Sequence, residues 1–297
     1  VEIGLVDLFD GSAERTPDFM ARFGRTAEEL GFTGIWLPEH IVFFDEYTSA
    51  YPYPEAPSAT DPEKVERHNK TVDGTARVEA AEDQGLLDVL QAAAEVCAAT
   101  TRLRVGSSVL LLPLRNPKLL TRDLMTVAAL TDGRVDLGVG VGWSAEEFGA
   151  CQTDFRTRGR RCGEGIAEIV RLWDDPDGIY PADPAPMPRV LVGGHSAAAL
   201  RRAATVATGW YPWNLTPSQF AEHHATYRAH LDGAGKDRAG QHVIAGLRFT
   251  GEMAALPSVV ERYLELGADG VNISLRMGTH DYADTMQAVS DALGLAA

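Results

Sequence analysis

The chain has 297 residues, of which 45% are hydrophobic, and carries a formal net charge of −15. That length can bury a large core, as two domains or as one barrel, and runs such as VLLLPL (109–114) are far too short to cross a bilayer. The acidic balance speaks against nucleic acid and anionic membrane as partners. With an opening that lacks a signal-peptide pattern, it leads to the expectation of a cytoplasmic protein acting on a small molecule.

Strand-like and helical runs alternate along the chain. Residues 2–9 (EIGLVDLF) predict a strand, and Thr16-Pro17 then opens a helix that stops at Gly31. A second strand over 33–38 runs into Glu39 and His40. Residues 45–84 break the rhythm: they hold ten acids against four bases and no apolar period, the mark of an acidic insertion or lid. Tyr47, Tyr51 and Tyr53 within it are available to line a site. A helix over 86–100, a third strand over 102–112 and a helix over 118–131, capped by Asn116-Pro117, follow. The fourth strand lies in TDGRVDLGVGVGW (131–143), where Val135, Leu137, Val139 and Val141 alternate with Asp136, Gly138, Gly140 and Gly142. Then come a helix (160–173), strand five (189–194), a helix (196–207), a short strand six (209–214) and a helix from Thr216-Pro217 to about Leu231. Strand seven (242–250), a helix from Pro257 to Leu266, strand eight (269–275) and a last helix (282–293) close the chain. Eight strand–helix units predict a single (β/α)8 TIM barrel over 1–297, an α/β fold, with a doubly wound sheet as the alternative.

Three motifs stand at predicted strand ends. In a barrel, the Val/Leu face of strand four packs on the helices, and its glycine face opens room for a flat ring near the C-terminal rim; the other reading is that the glycines accommodate large neighbours. Gly140-x-Gly142-x-x-Ala145 matches a dinucleotide fingerprint only formally, since it falls in the fourth unit without the acid that should follow. In RVLVGGHSAAAL (189–200), Gly193 and Gly194 precede Ser196 as helix N-cap, and free amides at such a start take a phosphate; a plain tight turn reads the same. In WLPEH (36–40), Glu39 and His40 fall on the catalytic rim, where an imidazole exchanges protons near neutral pH; a structural hydrogen bond is equally open. No histidine pair has metal spacing, so no metal is expected. Cys97, Cys151 and Cys162 read as reduced thiols.

In order, AEELGFTGIWLPEH (27–40), RLRVGSSVLLLPLRNP (102–117), LTDGRVDLGVGVGWSAEEF (130–148), RGRRCGEGIAEIVRLW (158–173) and PRVLVGGHSAAALRRAA (188–204) resemble the luciferase-like monooxygenase superfamily, above all its branch using the deazaflavin coenzyme F-420. The resemblance implies a luciferase-like barrel that binds F-420, or alternatively FMN, in its mouth. It places a non-prolyl cis peptide at Ser108-Val109 behind the ring, with Gly140, Gly142 and Trp143 beside it. It assigns the cofactor phosphate to Gly193, Gly194, His195 and Ser196, the ring's polar edge to Glu39, and the proton of the substrate to His40. Arg115, Arg156, Arg158, Arg160 and Arg161 are candidates for the polyanionic tail, and Tyr51, Trp213, Arg248 and Arg276 for the substrate pocket. Where the family often has Asp-Gly-Trp on strand six, this sequence has Thr208 in the acid's place. The implied activity is hydride transfer between F-420 and a small organic substrate, in a homodimer. An FMN-dependent monooxygenase, a non-catalytic cofactor-binding barrel and a phosphosugar isomerase-like barrel are the alternatives.

Overall fold

The computed structural model of the chain describes residues 1–7, 15–44, 47–52, 55–57, 65–67, 86–175, 178, 185–275 and 277–296. Parallel strands β1 (Glu2–Val6), β2 (Gly34–Leu37), β5 (Arg104–Ser107), β6 (Leu110–Leu111), β7 (Val135–Gly140), β8 (Val190–Gly193), β9 (Gly209–Tyr211), β10 (His242–Arg248) and β11 (Gly270–Ser274) pair in a ring. β5 pairs with β2 and β7 while β6 pairs with β7, so β5 and β6 are two halves of one strand and the barrel closes with eight. The break between them is the cis peptide Ser108-Val109. The short strands Glu55–Pro57 (β3) and Val65–Arg67 (β4) pair antiparallel within the expected 45–84 insertion; the rest of that insertion, apart from residues 47–52, and Tyr53 and Arg276 lie outside the described residues.

Helices α1 (Pro17–Glu29), α2 (Val89–Ala99), α3 (Pro117–Leu130), α4 (Ala145–Ala150), α5 (Arg158–Asp174), α6 (Ala197–Val206), α7 (Pro217–Gly233), α8 (Leu256–Glu265) and α9 (Tyr282–Leu293) ring the barrel. Their starts follow from local chemistry. Thr16, Asp88, Asn116, Ser196 and Thr216 each cap a helix by accepting from free first-turn amides, and proline occupies the first position of α1, α3 and α7. The short α4 was not foreseen from the sequence. Among the described residues no helix is long and apolar enough to cross a membrane.

Strand alternation divides the core in two. Leu5, Ile35, Val105, Leu137, Val139 and Ile273 face the helices in the main cluster. Inside the barrel Val6, Trp36, Leu191, Tyr211 and Ile244 form a smaller one, in which Trp36 stacks on Tyr211 at 5.0 Å. The bare face of β7 does turn inward, but protein fills much of the space it leaves. A Cβ on Gly138 would lie 2.0 Å from the Ser107 carbonyl oxygen, and one on Gly140 would lie 2.4 Å from Val109 Cγ2. Of the two readings, accommodation of neighbours therefore holds within the barrel, and open space begins only at the rim.

The N-terminal end of the barrel is closed by charge. The Asp136 carboxylate, buried on β7, accepts from Arg104 of β5 (2.8 Å to each oxygen) and from Arg189, which also grips Glu2 of β1. Thr208, at the position of the family's acid, binds this same end: its hydroxyl accepts from Val190 N at 2.7 Å. Cys97 and Cys162 are buried, which pushes both thiols up to about 11, and Cys151 is half-buried; all three are reduced.

Candidate active site

A cavity of about 890 Å³ opens at the C-terminal mouth of the barrel. His40, three residues past the end of β2, lines it. Its Nδ1 lies 3.0 Å from Glu147 Oε2. Glu147 is 1% exposed, and its other oxygen accepts from the backbone N–H of Ile41 (2.6 Å) and Val42 (3.3 Å). A carboxylate so placed accepts a hydrogen bond from Nδ1–H and leaves Nε2 free to face a ligand. Glu147 is not marked as a site residue by its own stretch of sequence. Its only local signal was Ser144-x-x-Glu147, the spacing of a capping box. Ser144 does cap α4 by accepting from Glu147 N, but the Glu147 side chain crosses to the segment after β2 instead of returning to its own helix.

Trp143, between β7 and α4, is the hub of an aromatic wall. Tyr47 (5.0 Å), Tyr51 (5.4 Å) and His40 (6.0 Å) all pack against its ring. Residues 48 and 49 are fastened there by Glu146, whose carboxylate accepts from Thr48 N, Thr48 Oγ1 and Ser49 N, while Ser49 Oγ accepts from Ala145 N. Partial burial opposes ionisation of Glu146, but these hydrogen bonds outweigh it and hold its carboxyl well below the usual range.

The cavity floor is the break in the third barrel strand. Ser108 Oγ lies 3.0 Å from Tyr211 Oη, which also accepts from Asn272 Nδ2 at 3.3 Å. Burial pushes the Tyr211 phenol up to about 12, so it stays protonated. Val109 rises between β7 and β8.

Across the floor, Gly193, Gly194, His195 and Ser196 line the cavity where β8 passes into α6. Gly194 has φ +87°, a conformation that favours glycine, and Ser196 Oγ caps Ala199 N. Arg156, Arg158 and Arg202 line the same end. The Arg158 guanidinium lies 3.7 Å over Phe155, and its buried Nε has no hydrogen-bond partner among the described residues. Burial, and His223 stacked 5.3 Å away, lower the His195 imidazole below its usual range. Charge at this end is therefore carried by arginine. Helix-start amides, a glycine turn, three guanidiniums and an unpartnered buried N–H suit a phosphoryl group.

Other candidates are placed differently. Glu39 lines the cavity, but its carboxylate is engaged by Leu111 N (2.6 Å) and by Arg115, so it fastens β6 to the end of β2. Arg115 also binds Asp88. Arg160 pairs with Glu164 on the surface, and Arg161 donates to Pro113 O. Of the five arginines named from the sequence, only Arg156 and Arg158 line the cavity; Arg202, not named, does. Tyr51 and Trp213 line it as well. Arg248 is buried at the end of β10, outside the lining. Among the described residues no group of three His, Cys, Asp or Glu is placed to hold a metal ion.

The molecule is thus a closed parallel (β/α)8 barrel whose mouth holds an imidazole paired with a buried carboxylate and, across the floor, a glycine turn flanked by arginines. The chain belongs to the luciferase-like monooxygenase family, which matches residues 71–292. It is 32% identical to an uncharacterized protein of Mycobacterium tuberculosis over 247 residues, 78% of each chain. It is 29% identical to an F-420-dependent glucose-6-phosphate dehydrogenase of Kineococcus radiotolerans over 171 residues, 56% of this chain and 40% of the relative. The fold is that of an F-420-dependent secondary alcohol dehydrogenase solved with an F-420-acetone adduct, with TM-score 0.71, 12% identity and coverage of 100% and 99%.

Proposed function

We propose that the chain is an oxidoreductase that uses coenzyme F-420 to move hydride to or from a small organic substrate. The observation that carries this reading is the pairing, in one cavity of about 890 Å³, of the His40–Glu147 couple with the β8–α6 cradle. When bound, the deazaflavin supplies the hydride chemistry. The protein's own contributions are distinct. The amides after Gly194 and the Arg156, Arg158 and Arg202 guanidiniums hold the phosphoryl group. Val109 and the aromatic wall around Trp143 exclude water from the ring and substrate. Glu147 keeps Nδ1 of His40 protonated, so Nε2 accepts the proton of an alcohol or, once protonated, donates it to a carbonyl oxygen.

The cradle suits a phosphate monoester equally, and the family takes its name from monooxygenases, so FMN with an oxygen-using reaction is the second reading. Fluorescence titrations of the purified protein with F-420 and with FMN separate the two. Tight binding of F-420 alone is expected; binding of FMN alone selects the second reading, and binding of neither removes both. A homodimer in the cytoplasm belongs to the same proposal, and sedimentation velocity checks the dimer.

A further inference from the structure

The side of the mouth built by β9, β10 and β11 carries polar atoms that the proposed proton exchange does not use. Trp213, two residues past β9, lines the cavity and bridges to Gly246 of β10. A Cβ on Gly246 would lie 2.3 Å from Trp213 Cε3, so the missing side chain is what lets the indole lie over β10. Ser274, the last residue of β11, lines the same cavity and is 1% exposed. Its register neighbours are Arg248 of β10 and Val6 of β1.

Neither Trp213 Nε1 nor Ser274 Oγ has a hydrogen-bond partner among the described residues, although both atoms are buried. Asn214, beside Trp213, has its Oδ1 occupied by Arg248 N while its Nδ2 is likewise unpartnered. An indole N–H can only donate, and a hydroxyl donates readily. Donors left in this condition cost stability unless a ligand completes them.

We propose that Trp213 Nε1 and Ser274 Oγ form a donor seat for an uncharged carbonyl oxygen of the substrate. The seat lies on strands other than those that carry His40 and the phosphoryl cradle. It deepens the reading above, on which it rests for the kind of reaction, by defining the substrate as a neutral oxygenated molecule held by an acceptor oxygen. A site built to donate such bonds discriminates strongly against an analogue that lacks the acceptor.

The test is made on the whole protein labelled with 15N-tryptophan, with no cofactor added, so it stands apart from the cofactor titrations. Trp213→Phe assigns the indole resonance by its loss, and Trp213→His does so if the first variant does not fold. The probes are cyclohexanone, methylenecyclohexane of the same shape without the oxygen, and cyclohexanecarboxylate. The expected result is a downfield shift of the Trp213 N–H proton with cyclohexanone and none with methylenecyclohexane. Ser274→Ala is expected to weaken the cyclohexanone response about three- to tenfold, the loss of one neutral hydrogen bond. An unmoved resonance, an equal shift with the hydrocarbon, or a shift with the carboxylate alone overturns the proposal.

Discussion

At the scale of single residues, His40 and Glu147 act as a unit. His40→Ala is expected to cut turnover by about 10²- to 10⁴-fold while leaving F-420 affinity within about threefold, a change near RT ln 3 and far below a lost cradle contact. Glu147→Gln is expected to cut turnover too, because an amide releases the constraint on the Nδ1 tautomer; steady-state kinetics beside fluorescence titration checks both. A large loss of affinity with normal residual turnover would remove the proton-exchange role. Gly193→Val is expected to weaken cofactor binding for a steric reason. A Cβ there would lie 3.2 Å from Val109 Cγ1 and 3.3 Å from the Val139 carbonyl oxygen, so the added side chain displaces the floor beside the cradle. Unchanged F-420 affinity in that variant would take the β8 turn out of the site. His40, Gly193 and Ser196 were legible in sequence because each stands at a strand end or a helix cap, where residue type and local spacing carry meaning. Glu147 was not, because its partner lies 107 residues away.

At the scale of elements, the break between β5 and β6 depends on the glycines of β7. Gly138→Ala places a methyl group 2.0 Å from the Ser107 carbonyl, against backbone that cannot yield as a flexible side chain would. Overpacking of this kind costs about 1–3 kcal/mol, and urea unfolding should show a lower midpoint with little change in slope. Gly149→Ala, on α4 with nothing within 4 Å, is the control; it should be neutral or more stable by about 0.5–1 kcal/mol, as expected for glycine replaced within a helix. Alternation of Val and Gly identified β7 and its two faces from sequence. It did not show what fills the bare face, because Trp36 and Val109 arrive from other strands.

For the whole molecule, barrel closure at the N-terminal end rests on Asp136 between Arg104 and Arg189. Burial alone would raise the Asp136 pKa, but the hydrogen bonds from Arg189 and Arg104 outweigh it and hold the carboxyl below 3.8. Its stabilising contribution is therefore full above the unfolded value of 3.8 and is lost as pH falls through the lower folded value. Thermal melts at decreasing pH should show an acid-side loss that Asp136→Asn greatly reduces. At neutral pH the same variant should be less stable by about 1–3 kcal/mol, since two half-buried guanidiniums lose the charge they share while Arg189 keeps Glu2. An unchanged acid profile in the variant would place the acid-sensitive group elsewhere.

The amino-acid sequence by itself determined the order of strands and helices, most helix starts, the inward and outward faces of β7, and the strand-end positions of His40 and the Gly193–Ser196 turn. These follow from alternation, capping and turn chemistry, which act between residues a few places apart. Tertiary structure alone decided that Glu147 meets His40, that Glu39 is engaged by Arg115 while Arg202 joins the cradle, and that Trp213 and Ser274 share a wall with unpartnered donors. Each of these pairings joins side chains from different strand–helix units. Only the closing of the barrel, which fixes register and stagger between strands, brings them to the same depth of one mouth.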